Sequence, residues 1–363
     1  MGLRRHMADV LRLERQAGVG WLAAVVPAAL IVLPIGLGLM AGQARAGAAI
    51  AVGAMLASNV TRYDTARAQM EESALIVLSL LLACLAGVGI APLGGGAADM
   101  ALWGIMTLAA LCGNFGRMAA IVTGRFIVFV VILTEMARHA HHPRAMVGLV
   151  MAGGVAAAIL VPVLSRGTSS SAAPPSPRVG LAARVRRWGR SLRRLSGCQF
   201  ALRIAIVMAL TLSMDALWPD RHGLWAGLTA ALLCRRQLER VPVRASQRAL
   251  GAMLGVLLSC LFLFHAPSRG EFILFLSGLG VASMMARARN YMLYSMVATP
   301  LIMILVGGGK VVDGAVLIDR LVFTLAGAIV LVSVNGIVAG LIRIYETKRD
   351  PVSGIPPHGG AML

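Results

Sequence analysis

Residues 145–177 read AMVGLVMAGGVAAAILVPVL followed by SRGTSSSAAPPSP. The first part, 145–164, carries no charge, and its twenty residues would rise about 30 Å as a helix, the thickness of a bilayer's hydrocarbon core. The second part is a Ser/Pro tract with nothing to bury, which reads as a flexible linker. A membrane span that runs into a linker near the middle of a 363-residue chain divides it into two membrane units. The composition agrees: 58% of residues are hydrophobic and 13% charged, with mean hydropathy +0.81. Soluble domains hold about 45–50% apolar and about 25% charged residues, so a soluble globular enzyme is excluded.

Apolar runs bounded by charges or Gly/Pro clusters predict helices over 21–40, 46–60, 73–91, 99–113, 119–137 and 145–164 before the linker. After it they predict 199–218, 223–234, 245–265, 271–286, 291–307 and 315–342. The expected fold is an all-α polytopic membrane protein of twelve spans. Residues 1–164 would form a first six-helix unit, 165–198 a cytoplasmic connector and 199–363 a second six-helix unit. The run Trp21–Met40 exceeds the 7 to 15 residues of a signal-peptide core and is read as an uncleaved anchor.

The net charge of +19 has a positional explanation. With a cytoplasmic N-terminus, most of the 34 Lys+Arg fall on the cytoplasmic side, whereas Arg45, Arg138, Arg144, Arg221, Arg269 and Lys310 fall outside. This is the positive-inside imbalance, with both termini cytoplasmic, and it needs no nucleic acid as partner. In the connector, Leu181, Val185, Trp188, Leu192 and Leu195 recur at spacings of four and three among arginines. That pattern predicts a basic amphipathic helix on the anionic leaflet, with membrane lipids as its partner.

An offset of 176 to 177 lays Arg67 over Arg244, Asn114-Phe115 over Asn290-Tyr291, Thr123 over Thr299 and Arg144 over Arg320. Units with an even number of spans point the same way, so the expectation is two parallel pseudo-repeats about an axis along the membrane normal. The second and eighth spans are short in matched positions, a pattern that points to a binding site near them.

Ionisable residues in or at the ends of spans cost at least about 2.5–3.5 kcal/mol at the bilayer centre unless paired or wetted. Asp319, Arg320, Glu71, Glu72, Glu135 and Asp215 are therefore the candidates for proton coupling or ion pairing. The offset sets Glu71 over Arg248, predicting an ion pair between the repeats. His139, His141 and His142 read as a pH-sensitive outer loop rather than a metal centre. Neither a P-loop nor a nucleophile or hydrolytic carboxylate arrangement is present, so no cofactor, metal or catalytic residue is expected, and uphill transport would draw on an ion gradient.

The second half resembles the fusaric acid resistance (FUSC-like) or aromatic acid exporter family of bacterial inner-membrane proteins. The resemblance rests on Leu202-Arg203, Trp225-Ala-Gly-Leu-Thr229, Arg248-Ala-Leu-Gly251-Ala-Met-Leu-Gly255, Asn290-Tyr291, Thr299-Pro300-Leu301, and Arg320 with Thr324 and Gly327. Ala252 stands where the family often has Thr, and the connector is shorter than in many members. The resemblance implies proton-driven export of aromatic carboxylic acids or other small toxic compounds from the inner membrane, with a periplasmic adaptor (membrane fusion) protein as partner. The sequence is also compatible with a homo-oligomer.

On this reading Arg235, Arg236, Arg240, Arg244 and Arg248 ring a cytoplasmic vestibule that concentrates small organic anions. Trp225 and Tyr291 offer flat faces to an aromatic ring. Thr229, Asn290, Thr299 and Asn114 complete the candidate pathway. A passive organic-anion channel and a non-transporting scaffold for an adaptor are the alternative readings.

Overall fold

A backbone in lipid must satisfy its own hydrogen bonds, and apolar runs rich in Ala, Leu and Val do so as helices. The computed structural model describes residues 3–12, 21–58, 66–164, 180–193, 195–218, 223–234, 241–263, 268–307 and 314–349, in which every long element is an α-helix. In the first half these are α1 (Leu3–Leu11), α2 (Trp21–Met40), α3 (Ala44–Ala57), α4 (Ala66–Ile90), α5 (Gly95–Cys112), a 3-10 turn (Gly113–Phe115), α6 (Arg117–Arg138) and α7 (Pro143–Leu164). Then come α8 (Leu181–Leu192), α9 (Leu195–Leu217), α10 (Leu224–Leu233), α11 (Val241–Leu263), α12 (Arg269–Arg289), α13 (Tyr291–Val306) and α14 (Gly314–Arg349). Each predicted apolar stretch falls on one of α2–α7 or α9–α14.

The chain is a multi-pass membrane protein. Among the described residues, eight helices, α4–α7, α9, α11, α12 and α14, are long and apolar enough to cross a bilayer. The described part of α2 (Ala24–Met40), with α3, α10 and α13, is apolar but shorter. The ten residues of α10 rise only about 15 Å.

Lipid offers no hydrophobic drive between helices, so small residues that let backbones meet decide the packing. A Cβ on Gly53 of α3 would strike the Val150 carbonyl of α7, and one on Gly153 of α7 would strike Ile50 of α3. On α11, a Cβ at Gly251 would lie 2.5 Å from the Met292 carbonyl oxygen, and at Gly255 2.5 Å from that of Met296, both on α13.

The packing pattern repeats between the halves. Helix α3 packs on α7 as α10 does on α14, α4 on α6 as α11 on α13, α2 on α3 as α9 on α10, and α5 on α6 as α12 on α13. Between the halves, α5 lies on α9 and α12 on α2, while α6 meets α10 and α13 meets α3. For these pairs, replacing each helix by the one seven places along the series gives another pair that is also in contact.

The two amphipathic helices outside the spans are held at one end of the bundle by related asparagines. Asn114 donates to the Gly197 carbonyl (2.6 Å), where α8 turns into α9. Trp188 of α8 donates its indole N–H to Leu111 (3.1 Å) and meets Phe115 edge-on at 6.3 Å. Asn290 donates to the carbonyls of Val10 (3.1 Å) and Arg12 (3.0 Å) at the end of α1, while its Oδ1 accepts from Met292 N–H (2.6 Å) and caps α13. Gln247 adds a bond to Val10 (3.0 Å). Removing a cap of this kind costs about 1 kcal/mol. Asn290→Ala is therefore expected to speed tryptic cleavage after Arg12 by about fivefold, measured by limited proteolysis and mass spectrometry, with transport-helix cleavage unchanged.

Candidate functional site

Helix α14 comes close to α10 because residue 327 is Gly: a Cβ there would press into the Ala226 carbonyl. Two pairs one helical turn apart face this contact region, Trp225 and Thr229 on α10 and Arg320 and Thr324 on α14, and all four are buried. The Arg320 guanidinium carbon stands 3.8 Å from the centroid of the Trp225 ring. Arg320 is 0% exposed, and its three guanidinium nitrogens have no hydrogen-bond partner; nor do the Trp225 indole nitrogen or the Thr229 and Thr324 hydroxyls.

Arg248 of α11 is the charged neighbour of Arg320, and Tyr291 also lies within electrostatic reach. Arg248 is buried; its backbone carbonyl accepts from the Ser295 hydroxyl (3.2 Å), and its Nε and Nη2 lack partners. One turn earlier on α11, partly exposed Arg244 sits over the Tyr291 ring, 5.7 Å from its centroid. Arg244, Arg248 and Arg320 thus form a column of cations with Tyr291 and Trp225 beside it.

Trp225 also lines a cavity of ≈ 520 Å³ at the end of the bundle opposite α8. Its walls combine Met136, Met146, Met303 and Leu305 with Arg45, Glu135 and the three histidines His139, His141 and His142. The column and the cavity meet at Trp225. This size suits a one-ring organic molecule, and the mainly apolar wall with a few polar groups is the usual chemistry of a small-molecule site.

The acidic candidates are dispersed. The ion pair expected between Glu71 and Arg248 is not made: Glu71 pairs with Arg67 on its own helix at 3.1 Å, while Arg248 is buried in the other half. An Arg four residues away is within helical reach and stays solvated, whereas Arg248 lies inside the packed bundle. Glu72 is buried and pairs with Arg125 of α6 at 2.5 Å. Asp215 of α9 joins Arg138 at 3.5 Å, and the same guanidinium holds Asp99 of α5 at 2.9 Å, so this triad ties the two halves at the cavity end. Glu135 stands 3.7 Å from His139 on the cavity wall, and Asp319 is buried on α14.

Among the pathway candidates, Trp225 and Thr229 reach the site and Tyr291 flanks it. Thr299 returns its hydroxyl to the Ser295 carbonyl (2.7 Å), as its counterpart Thr123 does to Ala119 (2.7 Å). Asn114 and Asn290 are engaged with backbone carbonyls, as described above. Arg235, Arg236 and Arg240 lie outside the described residues. Among the described residues, no three His, Cys, Asp or Glu side chains gather as a metal site.

Sequence reading passed over the Arg138 triad, whose three members come from three helices, and the fully buried Arg203. The latter donates from Nη1 to the Asn335 Oδ1 (3.0 Å), joining α9 to α14. Helix α1 was also unforeseen, because its short run carries too few apolar residues to announce itself.

The family model described as fusaric acid resistance protein-like matches residues 202–334. That stretch, about a third of the chain, is similar to the family in sequence. Curated proteins and solved structures gave no match. The matched region holds the whole cation column, from Arg244 to Arg320, together with Trp225 and Tyr291.

Proposed function

We propose that the chain is an inner-membrane exporter of aromatic carboxylic acids or related small toxic compounds, driven by protons. Its twelve apolar helices form two parallel six-helix pseudo-repeats, 1–164 and 199–363, with 165–198 and both termini on the cytoplasmic face. The matched packing of the two halves and the bias of Lys and Arg toward the α8 end support this arrangement.

One observation carries the substrate class: buried Arg320, with no partner for its guanidinium among the described residues, stacked on Trp225, which itself lines an apolar cavity. A planar fork of donors matches a carboxylate, and the indole face matches a ring. The substrate enters past Arg244 and Arg248, binds at Arg320 and Trp225, and leaves through the cavity as one six-helix unit rocks against the other. Asp319, next to Arg320 on α14, and Glu135, on the cavity wall, are the candidates for the proton. A periplasmic adaptor would dock at the cavity end.

In inverted membrane vesicles, labelled hydroxylated aromatic acids are expected to accumulate when a proton gradient is imposed, and protonophore should abolish the accumulation. Asp319→Asn should lower it at least about tenfold if Asp319 carries the proton. Equilibration indifferent to protonophore would replace the exporter by a passive organic-anion channel, and absence of flux across the whole panel would leave a scaffold role.

A further inference from the structure

The column contains two buried cations. Arg248 and Arg320 lie on α11 and α14, which pack together, each is almost completely enclosed, and nitrogens of both guanidinium groups lack a hydrogen-bond partner among the described residues. Among the described residues, neither forms an ion pair with Asp or Glu. Enclosing one unpaired charge is costly, and placing a like charge beside it raises the cost.

The other half of the molecule handles the matching positions differently. The offset of 176 to 177 that lays Arg144 over Arg320 brings the acidic pair Glu71 and Glu72 to the position of Arg248. Glu72 is buried and neutralised by Arg125 from α6, and Arg144 is exposed at the start of α7. The first half therefore supplies its own counter-charge, whereas the second keeps guanidinium nitrogens of both arginines without a partner among the described residues. Flat rings border the column: Trp225 covers Arg320, and Tyr291 carries Arg244 on its face.

We infer that the ligand of this site carries two anionic groups on one aromatic frame, an aromatic dicarboxylate in preference to an aromatic monoacid. One carboxylate is taken by Arg320 and the other by Arg248, each by a planar fork of N–H donors, while the ring lies against Trp225. A monoacid leaves one of the two cations uncompensated. This specificity rests on the transport reading above and narrows it.

The test uses the purified full-length chain in proteoliposomes, with labelled benzene-1,3-dicarboxylate and benzoate as probes. The wild type is expected to carry the dicarboxylate with kcat/KM at least about tenfold above that for benzoate. Arg248→Gln should lower dicarboxylate transport at least about tenfold more than it lowers benzoate transport, erasing the preference. In detergent, the dicarboxylate should raise the thermal midpoint of the wild type more than benzoate does, a readout that does not depend on any variant folding. Equal handling of both acids by the wild type would overturn the dianion assignment and leave aromatic-acid transport standing. An equal loss of both acids in a folded Arg248→Gln protein would do the same. No flux and no thermal shift with either acid would overturn both readings together.

Discussion

Arg320→Met is expected to abolish transport and at the same time make the protein more stable. The two effects have one source. A guanidinium without a counter-charge in the bilayer interior costs at least about 2.5–3.5 kcal/mol. Its position 3.8 Å over the Trp225 ring returns about 2 kcal/mol where the pair is desolvated. Met has a similar length, no charge and a thioether that packs well on an aromatic edge, so the exchange should gain about 1 kcal/mol and raise the thermal midpoint by about 2 °C. Transport should fall at least about thirtyfold, because breaking a buried guanidinium–carboxylate pair costs about 2–5 kcal/mol. Arg320→Lys keeps the charge but loses the planar fork and the stacking, and should fall between the two. Thermal melts in detergent and proteoliposome flux on the same preparations read both quantities. Loss of stability together with flux would make Arg320 a structural residue of the α10–α14 contact, and unimpaired flux would remove it from the path.

That a residue can cost stability and be kept is also why the site was only partly legible in the sequence. Charges within apolar runs stand out, so Arg320, Arg248, Asp319, Glu72 and Asp215 were all visible as anomalies. Their partners were not, because pairing depends on which helices meet. The distance from Asp215 to Arg138 spans 77 residues of chain, and nothing in the local pattern of either helix predicts it. Asn114 and Asn290 were conspicuous through the repeat, yet their amides serve α8–α9 and α1 as backbone anchors. A polar residue repeated in register marks a shared position in the fold, which is a weaker statement than a shared ligand. Helix positions were read more securely, since a span is set by a local run of apolar residues. Boundaries shifted where charged residues extend a helix beyond the apolar run: α4 begins at Ala66, before Glu71 and Glu72, and α14 continues to Arg349. The cavity had no sequence signal beyond its histidines, because its wall is assembled from six helices and two connections.

Gly251→Leu should fail for the opposite reason to Arg320→Met, by overfilling a contact that has no slack. An added Cβ would stand 2.5 Å from the Met292 carbonyl oxygen and 2.6 Å from the Ser295 Cβ, distances that backbone on one side and a short side chain on the other cannot relieve. Helices α11 and α13 must then part, breaking the 3.2 Å bond from the Ser295 hydroxyl to the Arg248 carbonyl and moving the Arg248 side chain away from Arg320. Overpacking of this kind costs about 1–3 kcal/mol, so the yield of folded protein should drop and the thermal midpoint fall by several degrees. Gly336→Leu on α14 is the matched control: nothing lies within 4 Å of its added Cβ, and a Leu is a better helix former than Gly by about 0.8 kcal/mol. The control should therefore be neutral or slightly stabilising in the same detergent melt. Should Gly251→Leu melt with the control, the α11–α13 contact would not be what fixes Arg248. If it melts early and the folded remainder carries benzoate but has lost its preference for the dicarboxylate, the close approach of these two helices is what sets the spacing of the two cations.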